Sequence, residues 1–93
     1  MADSSPDGQD VMAKITPAQC RAARGLLDWT QEHLAERAEL SRSTIRDFEG
    51  GRHDLQRASA AQLVRVFDAS GVALLEAGDM GPGVRLKAPP TAE

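Results

Sequence analysis

Apolar residues recur with a helical period over most of the chain, beginning shortly after residue 15. Cys20, Ala23 and Leu27 stand at i, i+3 and i+7, a spacing that places their side chains on one face of a helix. The segment Thr-Pro-Ala-Gln at 16–19 has an N-cap hydroxyl, a proline at the first helical position and a glutamine at the third, which is a capping-box signature. The pattern therefore predicts a first helix that begins after Thr16 and ends near Leu27.

Two shorter helices are predicted next. Thr30 is a good N-cap for a helix over 31–38, and Ser41 is a good N-cap for a helix over 42–49. The pair Gly50-Gly51 is expected to end the third helix, because glycine readily adopts the left-handed conformation found at helix C-termini. The residues predicted to face inward on the second helix are Leu34, Ala35 and Ala38.

A fourth helix is predicted after a polar loop over 52–58. The segment Ser-Ala-Ala-Gln at 59–62 repeats the capping-box signature, with Ser59 as the N-cap. The helix is expected to stop at Gly71. Its inward residues recur at i, i+3 and i+7 and are Ala60, Leu63 and Phe67.

The pattern changes after the fourth helix. Two short apolar segments, 72–75 and 84–86, flank the stretch 78–83, which is dense in glycine and proline and indicates a turn. These segments predict a β-hairpin. The expected fold is mostly α, with four helices and a short C-terminal β-hairpin.

Four segments follow from this organisation. Residues 1–14 are polar and predict a disordered N-terminal tail. Residues 15–71 form the helical domain, and 72–87 form the hairpin. Residues 88–93 contain two consecutive prolines and predict a loose tail.

The composition fits one small domain. The chain has 93 residues, of which 41% are hydrophobic, and this is enough for a single core. No segment approaches the roughly 18 apolar residues of a membrane span. The acidic start of the chain lacks the apolar centre of a signal peptide, so a cytoplasmic, nucleoid-associated location in a bacterial or phage setting is expected. Cys20 is the sole cysteine and is expected to be a small buried hydrophobe.

The charge distribution is a weak guide to the partner. The formal net charge is −3, whereas a basic balance is the usual mark of a nucleic-acid binder. Asp3, Asp7 and Asp10 account for the whole acidic excess, and residues 41–66 carry five arginines against three acids. Charges beyond about 8–10 Å are screened, so a local patch is able to bind phosphates, although five arginines equally fit an ordinary solvated surface.

The predicted third helix has two chemically different faces. Ile45 and Phe48 lie on one side, and two arginines with two short polar residues lie on the other. Arginine donates paired hydrogen bonds to guanine, and serine or aspartate reaches other base edges in a major groove. The same pattern is also typical of an ordinary surface helix. The four outward residues are Arg42, Ser43, Arg46 and Asp47.

The connection between the second and third helices is a further indication. Residues 39–41 form a connector of three residues, which is the length of the turn in a helix-turn-helix unit. Leu40 supplies an apolar anchor in this turn, and Ala35 is small where the two helices would cross. Gln31 begins the second helix, where its amide group would reach a phosphate.

Together these residues resemble the Xre-type helix-turn-helix family, which includes phage repressors and Cro proteins. The resemblance is carried by T-Q-x-x-L-A at 30–35, S-x-S-T-I at 41–45 and E-x-G at 49–51, and it covers roughly residues 16–71. It implies a repressor-like domain whose third helix enters the major groove of double-stranded DNA. The expected function is a sequence-specific transcriptional regulator, a repressor, that binds as a homodimer.

The resemblance also implies roles for individual residues. Those matching base-reading positions are Arg42, Ser43, Arg46 and Asp47, with Arg46 directed at the bases or the backbone. Those matching phosphate-binding positions are Thr30, Gln31, Arg52 and His53. Arg24 and Glu49 resemble a buried ion pair that joins the first helix to the third.

Three features depart from the family pattern. Gly50 adds a second glycine before Gly51 and would loosen the end of the third helix. Asp47 places a negative charge at the groove, where it would accept from a cytosine amino group or pair with Arg46. The hairpin over 72–87 is not part of the minimal repressor domain, and it is expected to pack on the fourth helix or to pair with a second subunit.

Other chemistry has little support in the sequence. His33 and His53 lie far apart without a cysteine partner, so no metal-ligand spacing exists, and His33 is expected to face solvent. No nucleophile elbow or phosphate loop is present, so we expect no enzyme activity, no cofactor and no small-molecule ligand. The alternative function is a protein-interaction module or an antitoxin-like partner, which the near-neutral charge favours.

Overall fold

The computed structural model describes residues 15–76 and 78–87. Its helices are α1 (Pro17–Leu27), α2 (Gln31–Ala38), α3 (Arg42–Glu49) and α4 (Arg57–Ala69), and its strands are β1 (Val72–Leu75) and β2 (Gly83–Leu86). The predicted mostly α fold with a C-terminal hairpin is therefore confirmed. The tails predicted at 1–14 and 88–93 lie outside the described residues.

Side-chain caps begin the first three helices. The hydroxyls of Thr16, Thr30 and Ser41 accept hydrogen bonds from the backbone N–H three positions later, at 3.0, 2.9 and 3.0 Å. The N–H of Thr16 in turn donates to Gln19 Oε1 at 3.0 Å, so the predicted capping box is present. Each cap satisfies a donor that the first turn of a helix leaves without a partner.

The predicted start of α4 is wrong. Ser59 is not the N-cap, because α4 begins at Arg57 after Gln56, whose side chain makes no capping hydrogen bond. Leu55 is half-buried against the core just before this point, and this contact sets where the chain enters the helix. Arg57 and Ala58 both favour helical conformation, so the first turn forms ahead of the serine.

The connections before α2 and α3 share one backbone conformation. Asp28 and Glu39 both have a φ of 60°, in the left-handed region that usually belongs to glycine. In each connection the N–H of the following residue donates to the carbonyl five positions earlier, at 2.9 Å. The residue after that is the N-cap of the next helix, which explains why three residues suffice for each turn.

Glycine at position 39 should stabilise the protein. A side chain in the left-handed region costs about 1–2 kcal/mol, and the extra chain entropy of glycine offsets part of this. We therefore expect Glu39→Gly to raise the free energy of unfolding by about 0.5–1 kcal/mol. Asp28→Gly should raise the free energy of unfolding by less, because aspartate tolerates the left-handed conformation better than glutamate does.

The opposite substitution provides the control. Gly51 has a φ of 80° and open space around the position of a Cβ atom, so Gly51→Ala should lose about 1 kcal/mol through backbone strain alone. Chemical denaturation of the variants measures all three changes. A loss of stability in Glu39→Gly would contradict the strain argument.

The core lies where the four helices meet, and the hairpin closes one side of it. The inward residues predicted for α2 and α4 are all buried, and those of α1 are buried except for the half-buried Leu27. Trp29 stacks on Phe67 with ring centroids 6.3 Å apart, which connects the α1–α2 turn to α4. The largest fully buried side chains include Phe67, Leu34, Ile45 and Leu63.

The hairpin packs on the helices. Strands β1 and β2 are antiparallel, with Val72 opposite Leu86 and Leu74 opposite Val84. Val72 is buried, and Leu74 and Val84 pack against the core. Packing on α4, one of the two expectations for the hairpin, is thus present, and α1 supports the strands as well.

Two polar side chains fasten the hairpin to the helices. Gln19 is buried, and its Nε2 donates to the carbonyls of Leu75 and Gly83, each at 2.9 Å. Lys87 Nζ reaches back to α4, where it lies 2.9 Å from the carbonyl oxygen and 2.5 Å from the carboxylate of Asp68. The sequence pattern does not indicate either contact, because Gln19 is recognisable there only as a capping-box residue.

Candidate nucleic-acid interface

Helix α3 is anchored through one face and open on the other. Ile45 and Phe48 are buried in the core, so the rotation of the helix about its own axis is set. The four predicted base-reading residues lie together on the opposite side. Of these, the exposed side chains are Arg42, Ser43 and Arg46, and the half-buried one is Asp47.

A cluster of hydroxyl groups marks the N-terminal end of α3. Ser41 Oγ lies 2.7 Å from Thr44 Oγ1 and 3.2 Å from Ser43 Oγ. Ser43 therefore has a hydrogen-bond partner within the protein. Arg42 is the exposed charged side chain at this end of the helix.

Arg46 and Asp47 contact each other on the outward face. The distance from Arg46 Nε to Asp47 Oδ1 is 3.4 Å, and the Arg46 side chain is 56% exposed. An exposed ion pair of this kind contributes only about 0–1 kcal/mol. The guanidinium group is therefore easily released to a phosphate or a base.

The loop after α3 brings Arg52 and His53 beside the same face. Their backbone N–H groups donate to the Asp47 carbonyl at 2.8 and 3.4 Å, and both side chains are exposed. Gly51 has the left-handed φ of 80° that reverses the chain. Gly50 has a φ of −85° and caps the helix in a right-handed conformation, so the additional glycine leaves the helix end regular.

The last residue of α3 is a buried carboxylate with four side-chain donors. The Glu49 side chain is 2% exposed and that of Arg24 is 20% exposed. Arg24 donates from Nη2 to Oε1 at 2.7 Å and from Nε to Oε2 at 2.8 Å. Gln31 Nε2 lies 3.0 Å from Oε1, and Cys20 Sγ lies 3.0 Å from Oε2. The structure thus brings Arg24 and Glu49 together and adds two partners that the sequence did not indicate.

The surroundings of this carboxylate set its charge. Burial raises the pKa of Glu49, but the hydrogen bonds from Arg24, Gln31 and Cys20 outweigh this effect and bring the pKa below its usual value. Burial and the bond to Glu49 raise the pKa of the Cys20 thiol far above its usual range, so the thiol is protonated and unreactive. Glu49 is therefore ionised at neutral pH and joins α1, α2 and α3.

Gln31 links this cluster to the surface at the start of α2. It is half-buried, and among the described residues its side chain bonds only to Glu49. The second N–H of the same amide is able to donate a hydrogen bond to an acceptor outside the protein. Thr30 is the exposed cap beside it, and its hydroxyl oxygen accepts from the His33 N–H at 2.9 Å.

The family model for the helix-turn-helix domain matches residues 18–77, well over half of the chain. The chain belongs to the helix-turn-helix family. This family is typical of Xre- and Cro-like DNA-binding proteins, which agrees with the resemblance in the sequence. A comparison with curated proteins finds no match to this chain.

Positive charge is concentrated on α3, in the loop after it and at the start of α4 of this helix-turn-helix domain. Burial against Arg24 removes the Glu49 carboxylate from the surface near α3. The other acids of residues 42–57 are the half-buried Asp47 and the exposed Asp54, and the exposed Glu39 lies in the turn before α3. The exposed arginines of α3, the following loop and the start of α4 are Arg42, Arg46, Arg52 and Arg57.

None of the described helices is long and apolar enough to span a membrane. Across residues 15–76 and 78–87, no three side chains of His, Cys, Asp or Glu lie together as a metal ion would need. The His33 ring lies on the surface of α2 with its centroid 4.8 Å from that of Trp29. The solvent-facing position predicted for His33 is thus observed.

Proposed function

We propose that this protein is a sequence-specific DNA-binding regulator of transcription, acting as a repressor, and that α3 enters the major groove. The observation that carries the proposal is the division of α3 into a buried apolar face and an outward face of charged and polar side chains. The major groove of DNA admits an α-helix. The three-residue turn from α2 to α3 has the length found in helix-turn-helix units, which supports the role of α3 as a recognition helix.

The side chains around α3 are suited to two kinds of contact. The N-terminal part of a recognition helix is the part that reaches base edges, and Arg42 and Ser43 stand there. Arg46 and Asp47, one turn later, are the other two residues proposed to contact bases. Phosphate contacts come from both flanks of the helix, and the residues proposed for them are Thr30, Gln31, Arg52 and His53.

Two arginine substitutions distinguish contacts with DNA bases from contacts with DNA phosphates. Arg42→Ala should weaken binding to the preferred site by about 1–3 kcal/mol and relax the preference at one base position. Arg52→Ala should weaken binding to all sequences about equally and reduce the salt slope by about one unit. The affinities of both variants are measured on a site selected from random DNA and on a scrambled site, across a salt series.

Each variant serves as the control for the other. Both residues are exposed arginines, so neither substitution should change the thermal unfolding temperature. An unchanged ratio between the two affinities in Arg42→Ala would show that α3 is not the reader.

The proposed regulator acts as a homodimer. One helix reads only a few base pairs, and two copies on half-sites one helical turn apart multiply the specificity. Two-fold symmetry in the protein would then require a palindromic operator, which sequencing of the selected DNA reveals.

A protein-interaction or antitoxin-like role is the second candidate. It is favoured by the net charge of −3 and by exposed acids on α2 and its C-terminal cap, which are Glu32, Glu36 and Glu39. An electrophoretic shift assay with genomic fragments at two salt concentrations distinguishes the roles. A sequence-dependent shift supports the regulator, and no shift at either concentration favours a protein partner.

A further inference from the structure

The tip of the hairpin presents a large apolar side chain to solvent. Met80 is 95% exposed, about twice the exposure of Leu26 or Leu86, the other exposed large hydrophobic residues of the described chain. The turn that carries it is closed by the Gly81 N–H, which donates to the Gly78 carbonyl at 3.1 Å. A single exposed methionine needs no explanation by itself, but this protein also has a groove of matching chemistry.

The groove lies between α4 and the outer side of β1. Its volume is about 270 Å³, and its apolar lining comes from Val64, Val72 and Leu74. Arg65 and Asp68 stand at its rim. A methionine side chain is unbranched and flexible, and it fills irregular apolar spaces well.

The edge of β1 beside this groove is directed outward. Lys87 N–H donates to the Gly71 carbonyl at 2.8 Å, so these two residues form a hydrogen-bonded pair. Hydrogen-bonded and non-hydrogen-bonded pairs alternate along antiparallel strands, which makes Leu74 and Val84 a non-hydrogen-bonded pair. The N–H and C=O of Leu74 therefore face away from β2, and such an edge is able to accept another strand.

We propose that this groove and the β1 edge form the homodimer interface, with a second copy of this chain as the occupant. The two β1 strands run antiparallel about a two-fold axis near Leu74. Antiparallel alignment brings the hairpin tip of one copy beside the start of β1 in the other, so each Met80 enters the groove of its partner. One self-complementary patch then serves both copies, as two-fold symmetry requires.

Charges at the tip and the rim complement each other in this arrangement. Glu76 and Asp79 are exposed near Met80, and Arg65 is exposed at the rim of the groove. Asp68, the acid at the rim, is already paired with Lys87. Insertion of Met80 brings the acidic tip toward Arg65 of the other copy, and opposite charges of this kind select the partner and its orientation.

Sedimentation of the full-length protein at micromolar concentration tests the interface. The unmodified chain should be a dimer, and Met80→Asp should raise the dissociation constant about tenfold or more, because the buried apolar contact is lost. The fold of each copy should be unchanged, since the described residues of its own chain leave Met80 95% exposed. Leu26→Asp is the control, because Leu26 is 41% exposed but lies on α1 outside the groove, and this variant should remain dimeric.

A charge exchange tests the direct contact. Arg65→Glu and Asp79→Arg should each weaken the dimer, and the two together should restore it, because the pair is re-formed with its charges reversed. Failure of the double variant to recover would overturn the assignment of these residues to one interface.

This inference rests on the homodimer proposed above, and the experiments separate the two. A monomer at tens of micromolar overturns both the homodimer and the interface. A dimer that is insensitive to Met80→Asp overturns the interface alone. DNA binding by the Arg42 and Arg52 variants is measured independently of either outcome.

Discussion

Glu49→Ala should lower the free energy of unfolding by about 3–5 kcal/mol, because removal of one partner of a buried ion pair leaves the other charge without compensation. The substitution removes the acceptor of the Arg24 guanidinium, the Gln31 amide and the Cys20 thiol, which all donate to this carboxylate. A domain of this size has a total stability of about 5–15 kcal/mol, so the loss is a large part of it. Urea denaturation followed by Trp29 fluorescence measures the change, since Trp29 is the sole tryptophan.

A neighbour on the same helix provides the control. Asp47→Ala removes a carboxylate that makes only a loose contact with Arg46, at 3.4 Å, and it should change stability by less than about 0.5 kcal/mol. A loss below about 0.5 kcal/mol in Glu49→Ala would contradict the structural role proposed for the Glu49 carboxylate and its donors.

The effect of Glu49 should depend on pH with a definite sign. Its pKa is lowered in the folded protein, so the unfolded chain binds the proton more tightly than the folded one does. The stabilisation is fully present above the pKa of the unfolded carboxyl, about 4.3, and it is lost as the pH falls through the folded pKa. The stability difference between the unmodified protein and Glu49→Gln should therefore shrink in acid and stay constant between about pH 6 and pH 8.

Gln19→Ala should cost about 2–4 kcal/mol, because it removes three hydrogen bonds of a buried amide, each worth about 0.5–1.5 kcal/mol, and leaves carbonyls less well satisfied. Nε2 of Gln19 bridges the Leu75 and Gly83 carbonyls, and Oε1 accepts from Thr16. A two-stranded hairpin is barely stable in isolation. The contacts between the hairpin and α1 are therefore needed for the strands to form.

Hydrogen exchange shows whether the loss is located at the hairpin. The amides that bond across the two strands, which are those of Ala73, Leu75, Gly83 and Arg85, should lose protection in Gln19→Ala beyond the global decrease in stability. Gln56→Ala is the matched control, because Gln56 is an exposed glutamine at the start of another helix and its side chain makes no capping bond, and it should change stability by less than about 0.5 kcal/mol. Equal effects of the two substitutions would show that the bridge to the strands contributes nothing.

The candidate interface was only partly predictable from the sequence. Four side chains share the outward face of α3 because their spacing fits the helical repeat, and that repeat is visible without a structure. The pairing of Arg24 with Glu49 was implied by resemblance alone. The additional donors from Cys20 and Gln31 come from two other helices, and nothing in the local sequence around Glu49 indicates them.

Local sequence is sufficient to set the starts of the first three helices, because each cap satisfies a backbone group a few positions away, and to set the chain reversal at Gly51, because glycine readily adopts a positive φ. Tertiary structure decided the start of α4 at Arg57, where packing of Leu55, aided by the helical propensity of Arg57 and Ala58, outweighed the capping signal of Ser59. It also decided the second role of Gln19, whose bonds join residues 56 and 64 positions apart. Contacts between residues so far apart in the chain form only when the helices and the hairpin pack together. They therefore leave no periodic pattern in the sequence from which they could be predicted.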